Sequence, residues 1–119
     1  MSNFSVTFRE VAEVQILDLH GDLDAHTAPD LEAAIRKCID SSQNNIVVLG
    51  TGLDYISSAG LGVFMAFIEE VREHGGDIKI AALKPRVYNV FDLLGFPVLF
   101  DIVDTEADAL AKFESSSVD

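Results

Sequence analysis

The sequence predicts an α/β fold in which a mixed, mostly parallel β-sheet carries helices largely on one face. Short apolar runs alternate with amphipathic segments in the order ββαβαβαβα. The first two runs are separated by a hairpin-length link, which predicts antiparallel neighbours. The strand–helix–strand units that follow favour parallel pairing with right-handed crossovers. Since no linker or internal repeat interrupts the 119 residues, residues 1–119 are predicted to form one domain.

The first half of the chain supplies three strands and one helix. Residues 4–8 alternate between apolar and polar side chains, and residues 14–19 form a second apolar run. Thr27 is the predicted N-cap of the first helix, whose apolar positions at helical spacing are Leu31, Ala34, Ile35 and Cys38. Residues 45–49 are a compact β-branched run, which is typical of a central strand buried on both faces.

The second half continues the alternation. A helix is predicted over residues 59–74 and a strand over 78–82. Pro85 starts a third helix that ends at Gly95, with the inward positions Val87, Val90, Phe91 and Leu94. Residues 97–100 are predicted to form the last strand and residues 105–113 the last helix. Residues 114–119 are expected to be a frayed polar tail.

Charge and composition exclude several classes of function. The formal net charge is −12, which disfavours binding to nucleic acid or to an anionic membrane surface. Cys38 is the one cysteine, and no Cys/His pattern indicates a metal site or a cofactor. No apolar run approaches the roughly 20 residues that span a bilayer, and the first residues lack a secretory signal. The protein is therefore expected in the cytoplasm.

The most unusual stretch, residues 53–62, joins the central strand to the second helix. Ser57 and Ser58 are followed by Gly60 and Gly62 inside the first helical turns. Glycine in a helix lowers stability by roughly 1 kcal/mol relative to alanine. Either these glycines permit tight packing of the helix on the sheet, or they let another molecule approach the helix end.

Ser58 is predicted to be the N-cap of the second helix, with its hydroxyl exposed at the positive end of the helix dipole. A phosphoryl group added there would meet free backbone N–H groups. The fold is therefore expected to tolerate phosphorylation of Ser58.

The second helix has two distinct sides when its residues are placed about 100° apart around the axis. The predicted core side comprises Leu61, Phe64, Phe67, Ile68 and Val71. The other side, which we call the outer strip, comprises Ser58, Gly62, Met65, Ala66 and Glu69. Because the strip is largely uncharged, contains a methionine and begins at Ser58, it predicts a docking surface for another protein.

The loops near Ser58 leave two alternatives open, a small hydrolase and a metal site. His20 or His26 could act as a general base for Ser58 in a small hydrolase, although the glycine that leads a nucleophile elbow is missing. Asp22, Asp24 and Asp54 follow strands that end at one edge of the sheet, where they would surround Ser58. These carboxylates resemble a metal site but lack the compact spacing of a calcium loop, and helix-end electrostatics is the alternative role.

The chain resembles the STAS domain, and specifically the stand-alone bacterial anti-sigma-factor antagonists, over nearly its full length. The resemblance rests on five segments at their spacings: residues 21–27 (GDLDAHT), 46–49 (IVVL), 55–62 (YISSAGLG), Gly75-Gly76 and 90–95 (VFDLLG). It implies a switch that is not an enzyme. The unphosphorylated form would bind an anti-sigma factor that is also a serine kinase of the histidine-kinase-like ATPase class, and phosphorylation would separate them. A PP2C-type phosphatase would then restore the antagonist.

The resemblance also assigns residues. The modified serine aligns with Ser58, and the family's loop aspartate aligns with Asp24. The family usually has Asp immediately before the modified serine, where this chain has Ser57, so Ser57 is the alternative phosphorylation site. The expected partner-binding residues are Asp24, Ser57, Ser58, Gly60, Gly62, Met65 and Ala66. The resemblance implies a monomer. The alternative function is a non-switching STAS module that docks constitutively in a larger regulatory or transport assembly, or binds a small ligand.

Overall fold

The computed structural model of the protein describes residues 4–116. Its sheet has five strands in the order β1-β2-β3-β4-β5, with β1 antiparallel to β2 and the other neighbours parallel. The strands are β1 Ser5–Val11, β2 Val14–Leu23, β3 Asn45–Ile56, β4 Asp77–Ala81 and β5 Ile102–Val103. The predicted mixed, mostly parallel sheet is therefore confirmed.

Helices cover the two faces of this sheet unequally. They are α1 Ala28–Asp40, α2 Ser58–Glu73, α3 Pro85–Leu93, α4 Phe96–Leu99 and α5 Glu106–Ser116. The larger core lies between the sheet and α1 to α4, whereas a smaller cluster around Ile16, Val47 and Ala109 lies under α5. The placement of the helices largely on one face is confirmed. Among the described helices, none combines the length and the apolarity that crossing a lipid bilayer requires.

Strands β2 and β3 extend beyond the predicted apolar runs and define the edge where the candidate site lies. They remain paired up to Asp22 opposite Tyr55 and Leu23 opposite Ile56. The register shifts between Gly21 and Asp22, which marks a bulge just before the strands end. Because both strands end together, the loops to α1 and α2 start side by side.

The prediction of a strand over residues 97–100 was wrong, because this stretch contains the short helix α4. Phe96 and Phe100 are stacked with their ring centroids 5.2 Å apart. Residues four apart in a strand are separated by about 13 Å, whereas one helical turn brings them together. Gly95, with φ of 79°, turns the chain from α3 into α4, and the fifth strand follows at Ile102–Val103.

Two smaller expectations also need correction. Leu94 was predicted to face inward, but it follows the end of α3 and is exposed, while Val87 and Phe91 are buried. Helix α5 continues to Ser116, three residues beyond its predicted end. The rest of the predicted frayed tail, residues 117–119, lies outside the described residues.

Candidate functional site

The turn from β3 into α2 is capped by Ser57 and not by Ser58 as predicted. The Ser57 backbone is extended, and its Oγ accepts a hydrogen bond from the N–H of Gly60 at 3.4 Å. Its own N–H donates to the carbonyl oxygen of Leu23 at 2.9 Å. Since β3 runs to Ile56, the residue between strand and helix is Ser57, one position earlier than the short predicted strand implied.

Ser58 is the first residue of α2, and its side chain is exposed. Within residues 4–116, no hydrogen bond or ion pair engages its hydroxyl. The first turn of α2 contains no acidic residue that would neutralise the partial positive charge of the helix end. The Ser58 hydroxyl is thus accessible and chemically uncommitted.

The two glycines at the start of α2 have different roles. Gly60 is buried, and a Cβ there would lie 2.8 Å from Cγ of Leu23 and 3.0 Å from Cγ1 of Ile56. Gly62 is exposed, and a Cβ there would meet nothing within 4 Å. Gly60 therefore lets the helix pack closely on the sheet, and little of its surface is exposed for the predicted partner contact. Packing inside the described protein does not require Gly62.

Asp24 shapes the loop between β2 and α1. Its Oδ1 accepts hydrogen bonds from the backbone N–H of His26 at 2.9 Å and of Thr27 at 3.2 Å. Desolvation pushes the pKa of Asp24 upward, but the hydrogen bonds from Thr27 and His26 outweigh it and hold that pKa below its usual range. Because Asp24 directly follows Leu23, this loop adjoins the Ser57 turn.

Thr27 occupies the predicted N-cap position of α1, but its side chain does not cap the helix. The Thr27 hydroxyl instead donates to the carbonyl oxygen of Asp22 at 2.8 Å and accepts from the N–H of Asp24 at 2.8 Å. Thr27 is buried, so its hydrogen bonds fix the loop from inside. This loop is consequently part of the rigid frame beside Ser58.

The outer strip of α2 has the predicted exposure. Its five members, Ser58, Gly62, Met65, Ala66 and Glu69, are all exposed, whereas the predicted core side is buried. Met65 keeps 45% of its surface exposed. The strip thus presents small and flexible side chains to solvent along the helix that starts at Ser58.

The contact of a basic pair with Asp54, at the same edge of the sheet, was not predicted from the sequence. Lys84 and Arg86, at the start of α3, both contact Asp54 near the end of β3. The hydrogen bond and the charge of Lys84 hold the pKa of Asp54 below its usual range, with a further contribution from Arg86. The carboxylate of Asp54 is therefore paired with basic side chains at the start of α3. This contact could not be predicted without the order of the strands, because it depends on β4 lying beside β3.

The histidines and carboxylates do not assemble a hydrolytic or metal centre in the described structure. His20 Nε2 lies 3.4 Å from Asp18, and Nδ1 of His74 lies 2.8 Å from the carbonyl oxygen of Glu70. No hydrogen bond or ion pair of a described histidine side chain reaches a serine. Within residues 4–116, no group of three or more His, Cys, Asp or Glu side chains is arranged to hold a metal ion.

Comparison with known proteins settles the family. The family model described as the STAS domain matches residues 5–109. The chain belongs to the STAS domain family. BtrV of Bordetella bronchiseptica, which carries the name of an anti-sigma factor antagonist, is 31% identical to this STAS domain over 111 residues, covering 93% of this chain and 96% of BtrV.

Solved structures share the fold of this STAS domain. An anti-sigma factor antagonist from Mycobacterium paratuberculosis superimposes with a TM-score of 0.85 at 24% identity, covering 92% of this chain and 93% of that one. The antagonist SpoIIAA in its unphosphorylated form gives a TM-score of 0.79 at 21% identity, covering 93% and 97% of the two chains. SpoIIAA from Bacillus has also been solved in its phosphorylated form, which gives a TM-score of 0.71 at 22% identity and covers 92% and 99%.

The site of this STAS domain therefore has three parts that lie together. Ser57 closes the helix end, Ser58 presents a free hydroxyl beside it, and the Asp24 loop adjoins the turn through the hydrogen bond to Leu23. The outer strip extends from Ser58 along α2. This arrangement suits contact with another macromolecule better than enclosure of a small substrate, because its side chains are exposed and lie along a helix.

Proposed function

We propose that this protein is an anti-sigma factor antagonist whose binding to its partner is switched by phosphorylation of Ser58. The observation that carries the proposal is the exposed, uncommitted hydroxyl of Ser58 at the start of α2. The names of BtrV and of the structural neighbours support the antagonist role. The two forms of SpoIIAA support a switch by phosphorylation.

The switch is electrostatic and steric. A phosphoryl group on Ser58 adds a charge of about −2 and three acceptor oxygens. The helix itself tolerates this group, because the free N–H groups and the dipole of its first turn favour an anion. A partner that covers Ser58 would have to bury that charge without a counter-charge, which costs several kcal/mol. The modified form therefore keeps its fold and loses its partner.

The local structure favours Ser58 over Ser57 as the modified residue. Ser57 Oγ is engaged in the cap of α2 and Ser57 is half-buried, whereas Ser58 is exposed. Phosphorylation of Ser57 would require breaking the cap, which is worth about 0.5–2 kcal/mol. A kinase can reach Ser58 without disturbing the helix end.

The partner that we propose is an anti-sigma factor that also acts as a serine kinase of the histidine-kinase-like ATPase class. A PP2C-type phosphatase would return the protein to its binding form. The proposed binding surface comprises Asp24, Ser57, Ser58, Gly62, Met65 and Ala66. In this proposal the protein acts in the cytoplasm as a monomeric binding module without catalysis of its own.

The test is phosphorylation followed by mass spectrometry. The wild type, Ser57→Ala and Ser58→Ala are each incubated with the cognate kinase and ATP. We expect the wild type and Ser57→Ala to gain one phosphate and Ser58→Ala to gain none. Absence of phosphate on both serines of the wild type would contradict the switch and favour the non-switching module.

Binding is tested in parallel by pull-down from the native cell. Ser58→Asp should lose the anti-sigma factor, while Ser58→Ala should retain it. The melting temperature of Ser58→Asp should stay close to that of the wild type, because the exposed first turn accommodates an acidic side chain. Full-strength binding by Ser58→Asp would refute the proposed mechanism.

A further inference from the structure

An exposed apolar surface lies where α3 meets α4, and the outer strip does not include it. Eight large apolar side chains are exposed among the described residues. Four of them form what we call the α3–α4 surface, which comprises Leu93, Leu94, Val98 and Leu99. Leu93 keeps 85% of its surface exposed and Val98 keeps 89%, which makes them the most exposed of the eight. Exposed apolar side chains that lie close together mark interaction sites, whereas isolated ones are normal on protein surfaces.

A closed cluster of phenylalanines holds this surface in place. Phe64 of α2 contacts Phe91 of α3 with ring centroids 5.7 Å apart, and it contacts Phe100 at 6.1 Å. Phe96 completes the cluster, at 5.3 Å from Phe91 and 5.2 Å from Phe100. All four rings are buried. The intervening leucines and valine therefore project outward from a packed aromatic base.

A groove connects the α3–α4 surface to the outer strip. Met65 and Ile68 of α2 line it together with Leu99 of α4, and its volume is about 510 Å³. Met65 belongs to the outer strip and Leu99 to the α3–α4 surface. A partner that covers the strip can thus continue along the groove and onto Leu99.

The charges around the groove indicate a basic partner. Glu69 and Glu73 line the groove, and neither has a cationic partner within residues 4–116. Arg72 also lines it, but its Nε donates to Asp77 at 3.0 Å and its Nη2 donates to the carbonyl oxygen of Leu99. The groove therefore combines an apolar floor with two uncompensated carboxylates. This combination fits an amphipathic helix that carries basic residues beside its apolar face.

The same charges argue against a second copy of this chain as the occupant. The formal net charge is −12, and a symmetric contact would bring Glu69 and Glu73 of one copy near those of the other. Like charges facing each other across an interface cost several kcal/mol. A basic protein partner has no such penalty.

We propose that the α3–α4 surface and its groove form the distal half of the partner interface, where the anti-sigma factor inserts an apolar helix with basic residues. This inference rests on the proposed function. Met65 is seven residues after Ser58 on α2, which places the groove about 10 Å along the helix from the switch. In this proposal, contacts of the α3–α4 surface strengthen binding, while phosphorylation of Ser58 decides whether the partner binds.

The test is isothermal titration calorimetry with the purified anti-sigma factor that the wild type captures. Leu93→Asp and Val98→Asp should each raise Kd at least tenfold and leave the melting temperature unchanged, because both side chains are outside the core. Ala33→Asp places the same charge on an exposed position of α1 and should change Kd less than twofold. A double charge reversal, Glu69→Lys with Glu73→Lys, should also weaken binding and reduce its salt dependence.

The outcomes separate this inference from the proposed function. If Ser58→Asp abolishes binding while Leu93→Asp and Val98→Asp bind like the wild type, the distal interface is overturned and the switch stands. If the wild type captures no anti-sigma factor, the proposed function is contradicted, and so is the assignment of an anti-sigma factor to the groove. If sedimentation velocity shows a wild-type dimer that Val98→Asp disrupts, the surface is covered by a second copy and the inference is overturned.

Discussion

The two sides of helix α2 differ in how strongly packing constrains their residues, although they belong to one sixteen-residue segment. On the inner side, Gly60, Leu61 and Phe64 are buried, and their sizes are fixed by the strands and helices around them. On the outer side, Ser58 and Gly62 contact little else in the described protein. Two glycines of one helix therefore differ: the packing of the helix on the sheet requires Gly60 and does not require Gly62. We therefore expect substitutions on the inner side to lower stability and substitutions on the outer side to change other properties.

The largest expected effect is on the inner side. Phe64→Ala removes a fully buried ring that contacts both Phe91 and Phe100. We expect the free energy of unfolding to fall by about 3–5 kcal/mol, as for other large-to-small changes in cores. Urea titration followed by circular dichroism measures the change. A loss below about 1 kcal/mol would mean that the aromatic cluster is not the packed unit described here.

A matched pair of glycine substitutions gives the clearest contrast between the sides. Gly60→Ala should destabilise the protein by up to about 2 kcal/mol, because overpacking against Leu23 costs about 1–3 kcal/mol and exceeds the gain in helix propensity. Gly62→Ala should stabilise it by about 0.5–1 kcal/mol, because the added methyl group meets nothing.

Thermal and urea unfolding of both glycine variants provide the measurement. In the proposed function, Gly62→Ala should nevertheless bind the partner more weakly than the wild type, since it adds bulk to the outer strip. Equal changes in the free energy of unfolding of the two variants would contradict the distinction between a packed and an unpacked side.

The smallest expected effect lies at the boundary between the sides. Ser57→Ala removes the N-cap of α2 and should lower the free energy of unfolding by about 0.5–1 kcal/mol, at the low end for caps because the hydrogen bond to Gly60 is long. Ser58→Ala is the control and should leave stability nearly unchanged. If Ser58→Ala were the more destabilising of the two, the cap would belong to Ser58 as first predicted.

Sequence patterns predicted the elements of α2 well because helical periodicity is a strong local signal. The core and solvent sides of α2 could be assigned from spacing alone, and so could Ser58 and Gly62 as exposed residues at its start. The assignment of the cap failed by one residue. The β3 strand continues past its apolar run through Gly50 and Gly52, and no periodic pattern marks that extension.

The segment from α3 to α5 was predicted less well because its structure depends on distant contacts. Val98, Leu99 and Phe100 form a short apolar run that predicted a strand, yet Pro97 lies in the first turn of α4, and the contacts of Phe96 with Phe91 and Phe100 stabilise that helical turn. The contact of Asp54 with Lys84 and Arg86 joins residues about thirty positions apart. Such contacts follow from the order of strands in space, which local propensity does not encode.

The order of strands in the sheet repeats their order along the chain. Each new strand therefore adds to an edge that its predecessor has just completed, and no later strand has to be inserted between two earlier ones. A chain emerging from the ribosome can build this sheet stepwise from its amino-terminal hairpin. Helix α5 follows the five described strands in the chain, so Ile16 and Val47 stay uncovered on the second face until α5 packs against them.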